Sequence, residues 1–220
     1  MCFRSSPIAL LRLAFAFAAM VLVLQMQAQL TGYVRYGSAP RTLPVFNSDS
    51  TLFGRAIASI GDLNGDGVEE IAVSALQWND SVPEDVIHII FMNANGAMDS
   101  IRVIGPDDPV CGELFASGHS TGTALATVGD LNNDGIPDLL VGSPGCDTGG
   151  AATGAVHVLF LQADGGVQGL RTFDKNSTGT TSPGVGSGFG SSICAIGDLD
   201  LDGRPELFIG APNDATGGSG

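Results

Sequence analysis

Asp62, Asn64 and Asp66 alternate along the stretch GDLNGDGVEE, and Glu70 closes it. Side-chain oxygens two residues apart converge on one cavity when the backbone curls. Gly67, at the sixth position, permits the sharp turn, and the seventh and ninth positions add the Val68 carbonyl and the Glu70 carboxylate. An all-oxygen set suits a hard dication, Ca2+ ahead of Mg2+ or Mn2+. The set recurs as Asp130, Asn132, Asp134, the Ile136 carbonyl and Asp138, and again as Asp198, Asp200, Asp202, the Arg204 carbonyl and Glu206. The leading aspartates are each 68 residues apart, as are Gly54, Gly122 and Gly190. A fixed long period marks a repeat architecture.

One Ca2+ per repeat, up to three in all, is therefore expected. The competing reading is an acidic turn without an ion, because Asn, Asp and Gly favour turns in any case. Three copies of one alternation weigh against it. Close carboxylates also repel one another by about 1 kcal/mol per pair even in water, which a divalent ion reverses. An EF-hand is excluded: its twelfth position needs Glu, and here Val73, Val141 and Ile209 stand there, between flanks that read as strands. No site leaves an open position beside a base, so the ion is expected to be structural.

The elements that must hold these loops read alike in each copy. FGRAIASI (53–60) is a first strand, and EIAVSAL (70–76), densely apolar, is a second strand covered on both faces. A polar connector, 77–85, leads to VIHIIFM (86–92). The Asn-Gly of NANG (93–96) then predicts a type I′ hairpin into AMDSIRVIG (97–105). The second copy gives TALATV, DLLVGS, AVHVLFL and VQGLRTF, and the third gives FGSSICAI and ELFIGAP. The expected fold is all-β: β-propeller blades of four antiparallel strands, about two and a half of them, forming an incomplete ring. A sandwich lacks such a period, and solenoid coils are much shorter. A ring needs four to eight blades, so the chain reads as a fragment of a longer protein whose third blade shows an open strand edge.

Residues 1–28, with Arg4, Arg12 and the run LRLAFAFAAMVLVL, read as a secretory signal peptide rather than a membrane anchor. Residues 29–52 form an N-terminal arm, and YVRY (33–36) resembles the fourth strands. Two readings stand for the arm, a ring-closing outer strand and a plain extension. The repeats are bounded at 53–120, 121–188 and 189–220. A formal net charge of −14 disfavours nucleic acid and anionic membrane surfaces as partners, and no direct membrane contact is expected of the mature segment. In an oxidising compartment Cys111 and Cys146, both in connecting segments, are the candidate disulfide, while Cys194 reads as a small buried thiol.

At these residues the sequence resembles the FG-GAP repeat family, the blades of integrin α-subunit propellers. Phe189-Gly190, the acidic loop and Gly210-Ala211-Pro212 carry the match in the third copy. The first has Phe53-Gly54 but Ser74-Ala75-Leu76, and the second has Thr121-Gly122 and Gly142-Ser143-Pro144. Glu70 and Glu206 stand where the family more often has Asp. The resemblance implies calcium loops and a place in adhesion receptors, or in enzymes that use the propeller as an accessory domain.

The function expected is a secreted or cell-surface calcium-binding module that recognises a protein or glycan ligand through loops 77–85, 106–120 and 145–153. The alternatives are an accessory propeller of a larger extracellular enzyme and a plain scaffold. Asn79-Asp80-Ser81 and Asn176-Ser177-Thr178 are glycosylation sequons. Catalysis has no support within these residues. His88 and His157 occupy matching strand positions, as packing residues do, and GSGFGSS (186–192) is neither a nucleophile elbow nor a phosphate loop.

Overall fold

The computed structural model describes residues 52–79, 82–177 and 183–215. The signal peptide, the arm up to residue 51 and part of each sequon lie outside the described residues. All described residues fall within one compact unit, Pro44–Gly220.

Two four-stranded antiparallel sheets and the start of a third follow one another along the chain. The first contains β1 (Ile57–Gly61), β2 (Glu70–Asn79), β3 (Val82–Met92) and β4 (Met98–Ile104), in sequence order. The second contains β5 (Ala124–Thr127), β6 (Leu139–Ser143), β7 (Ala155–Leu161) and β8 (Val167–Phe173). A two-stranded sheet pairs β9 (Ser192–Ala195) with β10 (Leu207–Gly210). The only helical element among the described residues is a 3-10 turn, Gly112–Phe115. The first strands approach one another, with β5 between β1 and β9. This is the arrangement of adjacent propeller blades, and the described residues form no closed ring.

The apolar runs are dense because both faces of the middle strands are covered. Along β6 and β7, Leu139, Val141, Leu159 and Leu161 join a core shared with the first sheet. Leu140, Val156 and Val158 join a second core with Ile193, Leu207 and Ile209 of the third repeat. Burying each such side chain contributes about 1.5–3 kcal/mol. The two ends of the array lack this cover. Ile57 is 63 % exposed where its counterpart Leu125 is buried, and Phe208 is 63 % exposed where Leu140 is fully buried. Cys194, paired with Phe208 across β9 and β10, is exposed for the same reason, which corrects its reading as a buried thiol. Cys111 and Cys146 are buried free thiols rather than a disulfide, and burial pushes the Cys111 thiol up to about 12.

Two further expectations are corrected. Residues 77–79 and 82–85 are strand rather than loop: β2 and β3 continue as a paired ribbon in which Gln77 opposes Glu84 and Trp78 opposes Pro83. This ribbon runs past the end of β4, so Pro83 sits on an edge where its missing N–H is tolerated. The NANG hairpin is not type I′, because Gly96 takes a positive φ (71°) and Asn95 does not. The Gly96 amide donates to the Asn93 carbonyl and the Asn93 amide to the Ala97 carbonyl, giving a type I turn closed by a glycine bulge.

In each repeat the Phe-Gly half of the motif and the Gly-Ala-Pro half, or the residues in their places, are bonded to each other. Gly54 donates to the Ser74 carbonyl, Gly122 to Gly142 and Gly190 to Gly210. Between repeats, Gly154 forms a parallel bridge with Phe189.

The strand-three histidines pack inside. His88 meets the Phe53 ring edge-on at 5.6 Å between centroids. His157 lies 2.9 Å from the Thr172 hydroxyl through Nδ1, and its Nε2 has no partner. Burial first, and the charge of His119 second, lower the His157 pKa from 6.5 to about 4, against the pull of Asp174. A lowered imidazole pKa means that the unfolded chain takes its proton first. Stability is thus complete above pH 6.5 and falls as pH drops towards 4, by at most about 3 kcal/mol from this residue. Urea unfolding at about pH 7 and about pH 4.5 should show that loss, and His157→Gln should flatten it.

Candidate metal centre

Each acidic loop joins the first two strands of its repeat, and the same hydrogen bonds build all three. The leading aspartate binds the loop's own amides. Asp62 Oδ2 accepts from Gly67 N at 2.8 Å, Asp130 Oδ2 from Gly135 N at 2.7 Å, and Asp198 Oδ2 from Gly203 N at 2.9 Å. The Oδ1 atoms accept from the fifth-position amides of Asp66, Asp134 and Asp202. Those amides are shared with Oδ1 of Asn64, Asn132 and Asp200 at the third position. In turn, Oδ1 of Asp66, Asp134 and Asp202 accepts from the amides of Val68, Ile136 and Arg204. The first, third, fifth and seventh positions of each loop thus take part in one curl, the seventh through its amide rather than the carbonyl named from the sequence.

Gly67, Gly135 and Gly203 have φ of 85°, 87° and 87°, the left-handed turn expected at the sixth position. The fourth position is left-handed too, at Gly65, Asn133 and Leu201 (φ 77°, 60° and 63°). Asn tolerates that conformation, whereas Leu201 is strained by about 1–2 kcal/mol.

The ninth position closes the loop onto the second. Glu70 Oε2 accepts from Leu63 N at 2.7 Å, Asp138 Oδ2 from Leu131 N at 2.9 Å, and Glu206 Oε2 from Leu199 N. Asp138 spends its other oxygen on Leu161 N at 3.3 Å. Glu70 is fully buried, and the Met92 amide, which stands where Leu161 stands in the second repeat, favours its charged form without closing a hydrogen bond to Oε1. Burial is the main reason its pKa is raised. The Leu63 amide and, to a smaller extent, the Met92 amide oppose that, and the charges of Asp66 and Asp62 add to it. Asp138 is raised for the same leading reason, against the Leu131 and Leu161 amides. The exposed Asp134 is lowered, chiefly by the Ile136 amide and then by Asn132.

The third loop gathers one carboxylate oxygen from each of Asp198, Asp200, Asp202 and Glu206 within 4.8 Å of one another. Oxygens at about 2.3–2.6 Å from a common Ca2+ lie at most about 5 Å apart, so the set fits such an ion. Among the described residues, the first and second loops do not draw their three carboxylates into a comparable group. An Asn amide stands at their third position instead, with Asn64 Nδ2 3.1 Å from Asp66 Oδ2 and Asn132 Nδ2 2.8 Å from Asp134 Oδ2. There the fit rests on the donor chemistry and, in the first loop alone, on the Glu70 oxygen that closes no hydrogen bond.

One contact was not legible in the sequence. Gln168 on β8 donates through Nε2 to Asp134 Oδ2 and, at 3.1 Å, to the Leu161 carbonyl. Only strand pairing puts a residue thirty-four positions away over the loop.

Antiparallel order places the acidic loops and the hairpins near 95 and 164 at one end of the sheets, and the remaining connections at the other. At that other end Arg55 donates to the Thr123 hydroxyl at 2.6 Å and lies 3.5 Å from Asp85 Oδ1. The segment 145–153 is braced there by Asp147 Oδ1, which accepts from Ala152 N at 2.6 Å.

A sequence profile of the FG-GAP repeat matches residues 121–159 and 189–220. Among curated proteins, integrin alpha-PS5 of Drosophila melanogaster is 33 % identical over 186 residues, 80 % of this chain and 17 % of its own length. Human integrin alpha-IIb is 40 % identical over 166 residues, 74 % of this chain and 15 % of its own. Chicken integrin alpha-6 is 30 % identical over 171 residues, 76 % of this chain and 14 % of its own. The chain thus spans less than a fifth of the relatives it matches. An FG-GAP propeller is a non-catalytic unit. With repeated acidic loops, four-stranded antiparallel sheets and integrin α subunits as relatives, this chain is an FG-GAP repeat protein of the integrin α-like kind.

Proposed function

We propose that the chain is part of a secreted or cell-surface module for adhesion or ligand recognition, in which each acidic loop holds one Ca2+ as a structural ion. The residues that would hold it are Asp62, Asn64, Asp66, the Val68 carbonyl and Glu70; Asp130, Asn132, Asp134, the Ile136 carbonyl and Asp138; and Asp198, Asp200, Asp202, the Arg204 carbonyl and Glu206. The observation that carries this reading is the buried Glu70 carboxylate, whose Oε1 closes no hydrogen bond and has only a weak approach from the Met92 amide, beside two further carboxylates. A buried polar atom without a partner is costly, and a bound dication would supply the missing charge. The ion would act on packing as well as on the loop. Leu63 and Ile136 extend from the first and second loops into one core, and Gly61 lies against Pro137. Fixing the loops therefore fixes neighbouring sheets.

The recognition surface belongs at the end away from the ions, on segments 106–120 and 145–153, where loops carried by a rigid scaffold bind partners. The repeats span residues 53–120, 121–188 and 189–220 in this reading. The relatives, all integrin α subunits by name, support the extracellular setting.

Metal analysis after exhaustive dialysis against Ca2+ should find up to three ions per chain. Asp66→Ala together with Asp134→Ala should remove two of them. An unchanged stoichiometry in that double variant would overturn the assignment.

A further inference from the structure

Gln168 belongs to the outermost strand of the second sheet, which among the described residues pairs only with β7. Its amide nitrogen is shared between Asp134 Oδ2 and the Leu161 carbonyl, so a single side chain spans the acidic loop and the hairpin end of β7. Asp134 Oδ1 is already taken by the Ile136 amide, and Oδ2 by Asn132. Gln168 therefore supplies the only hold on this carboxylate from outside the loop among the described residues. The first sheet provides an internal comparison. Leu161 pairs with Val167 in β7 and β8, and Met92 pairs with Met98 in β3 and β4, so Asp99 occupies the register of Gln168. There the strand offers a carboxylate, an acceptor only, and Asp66 has no such donor from β4.

We infer that Gln168 is a positioning residue of the second acidic loop, clamping the Asp134 carboxylate from β8 and coupling the cation held there to the order of that outer strand. The inference rests on the cation reading of the loops. A donor fixed by two acceptors holds the Asp134 rotamer before the ion arrives, so less ordering is left for binding to accomplish. Groups that orient a metal ligand in this way typically change affinity by about ten- to a hundredfold when removed. The coupling also gives β8, an edge strand, a second attachment besides its ladder to β7. The first loop, without the donor, should lack that link.

The test uses the full chain and Ca2+ as the probe. Binding at the second loop is read by NMR at the Gly135 amide, and the order of Val167–Phe173 by hydrogen exchange with and without Ca2+. Gln168→Met keeps length and bulk while removing the donor, and Asp134→Ala removes the clamped group. We expect Asp134→Ala to abolish the Gly135 response. Gln168→Met should weaken it about tenfold and erase the Ca2+-dependent protection of β8. Wild-type affinity and wild-type protection in Gln168→Met, with Asp134→Ala still inactive, would overturn the clamp and leave the cation reading intact. A Gly135 response unaltered by Asp134→Ala, or none in the wild-type chain, would overturn both.

Discussion

Gly154→Ala should be strongly destabilising. The residue has a φ of 83°, and an added Cβ would sit 2.1 Å from the Phe189 carbonyl oxygen and 2.6 Å from its amide nitrogen. A left-handed alanine is strained by about 1–2 kcal/mol. The overlap is with backbone, which cannot swing aside, and separating the two segments would sacrifice the Gly154–Phe189 bridge and the hydrogen bond from Phe189 N to the Thr153 carbonyl. Overpacking of this kind adds about 1–3 kcal/mol or more. The total, about 2–5 kcal/mol, is a large part of a domain's usual 5–15. Gly135→Ala is the control. Its φ is similar, 87°, but an added Cβ meets nothing within 4 Å, so the strain stands alone. Urea denaturation should rank the wild type first, Gly135→Ala a little below it, and Gly154→Ala far below. Equal losses in the two variants would mean that the close approach of Phe189 contributes nothing.

Chelation should produce the second large change, and Glu70 should reverse its sign with it. Each ion bound at a hundred times its dissociation constant stabilises the folded state by about 2.7 kcal/mol, so three occupied loops should shift the thermal transition by many degrees. Glu70 distinguishes linkage from general salt effects. In chelator, at a pH above its raised pKa, its buried, ionised carboxylate is a burden. Its folded pKa is raised above 4.5, so stability from this group declines as pH climbs from 4.5 through the raised value. Glu70→Gln should then melt higher than the wild type, because a neutral amide can still accept from Leu63 N without a charge to desolvate. With Ca2+ added the order should invert, since the amide offers the ion less. Calorimetric melts of both proteins, with and without Ca2+, test this. A Glu70→Gln variant that stays below the wild type in both conditions would show that the carboxylate is satisfied without an ion.

The alternation Asp-x-Asn/Asp-x-Asp-Gly, its spacing of 68 residues and the apolar runs on either side were enough to place the loops between strands and to group the strands in fours. Such features are local or periodic, and each is set by backbone reach and side-chain period. The ninth position was legible as a carboxylate, but not the difference between Glu70, with one oxygen that closes no hydrogen bond, and Asp138, with both engaged. That difference depends on how near the strand-three amide comes, since Leu161 N bonds Asp138 and Met92 N stops short of a full bond to Glu70.

The misreadings share one physical cause. Pro83 and the polar residues around it suggested a connector, yet the partner strand opposite them makes a ribbon. Asn-Gly suggested a type I′ turn, and the register of the flanking strands selected a glycine bulge. Cys194 looked like a core thiol until its uncovered sheet face was seen. Composition and spacing determined that this chain builds repeated β-sheets with oxygen-lined loops, because hydrogen-bonding capacity and apolar alternation are properties of a segment. Which faces are covered, which glycines touch a neighbouring backbone, and that Gln168 reaches Asp134 were decided by the tertiary structure alone, because each depends on a surface supplied by a residue distant in the chain.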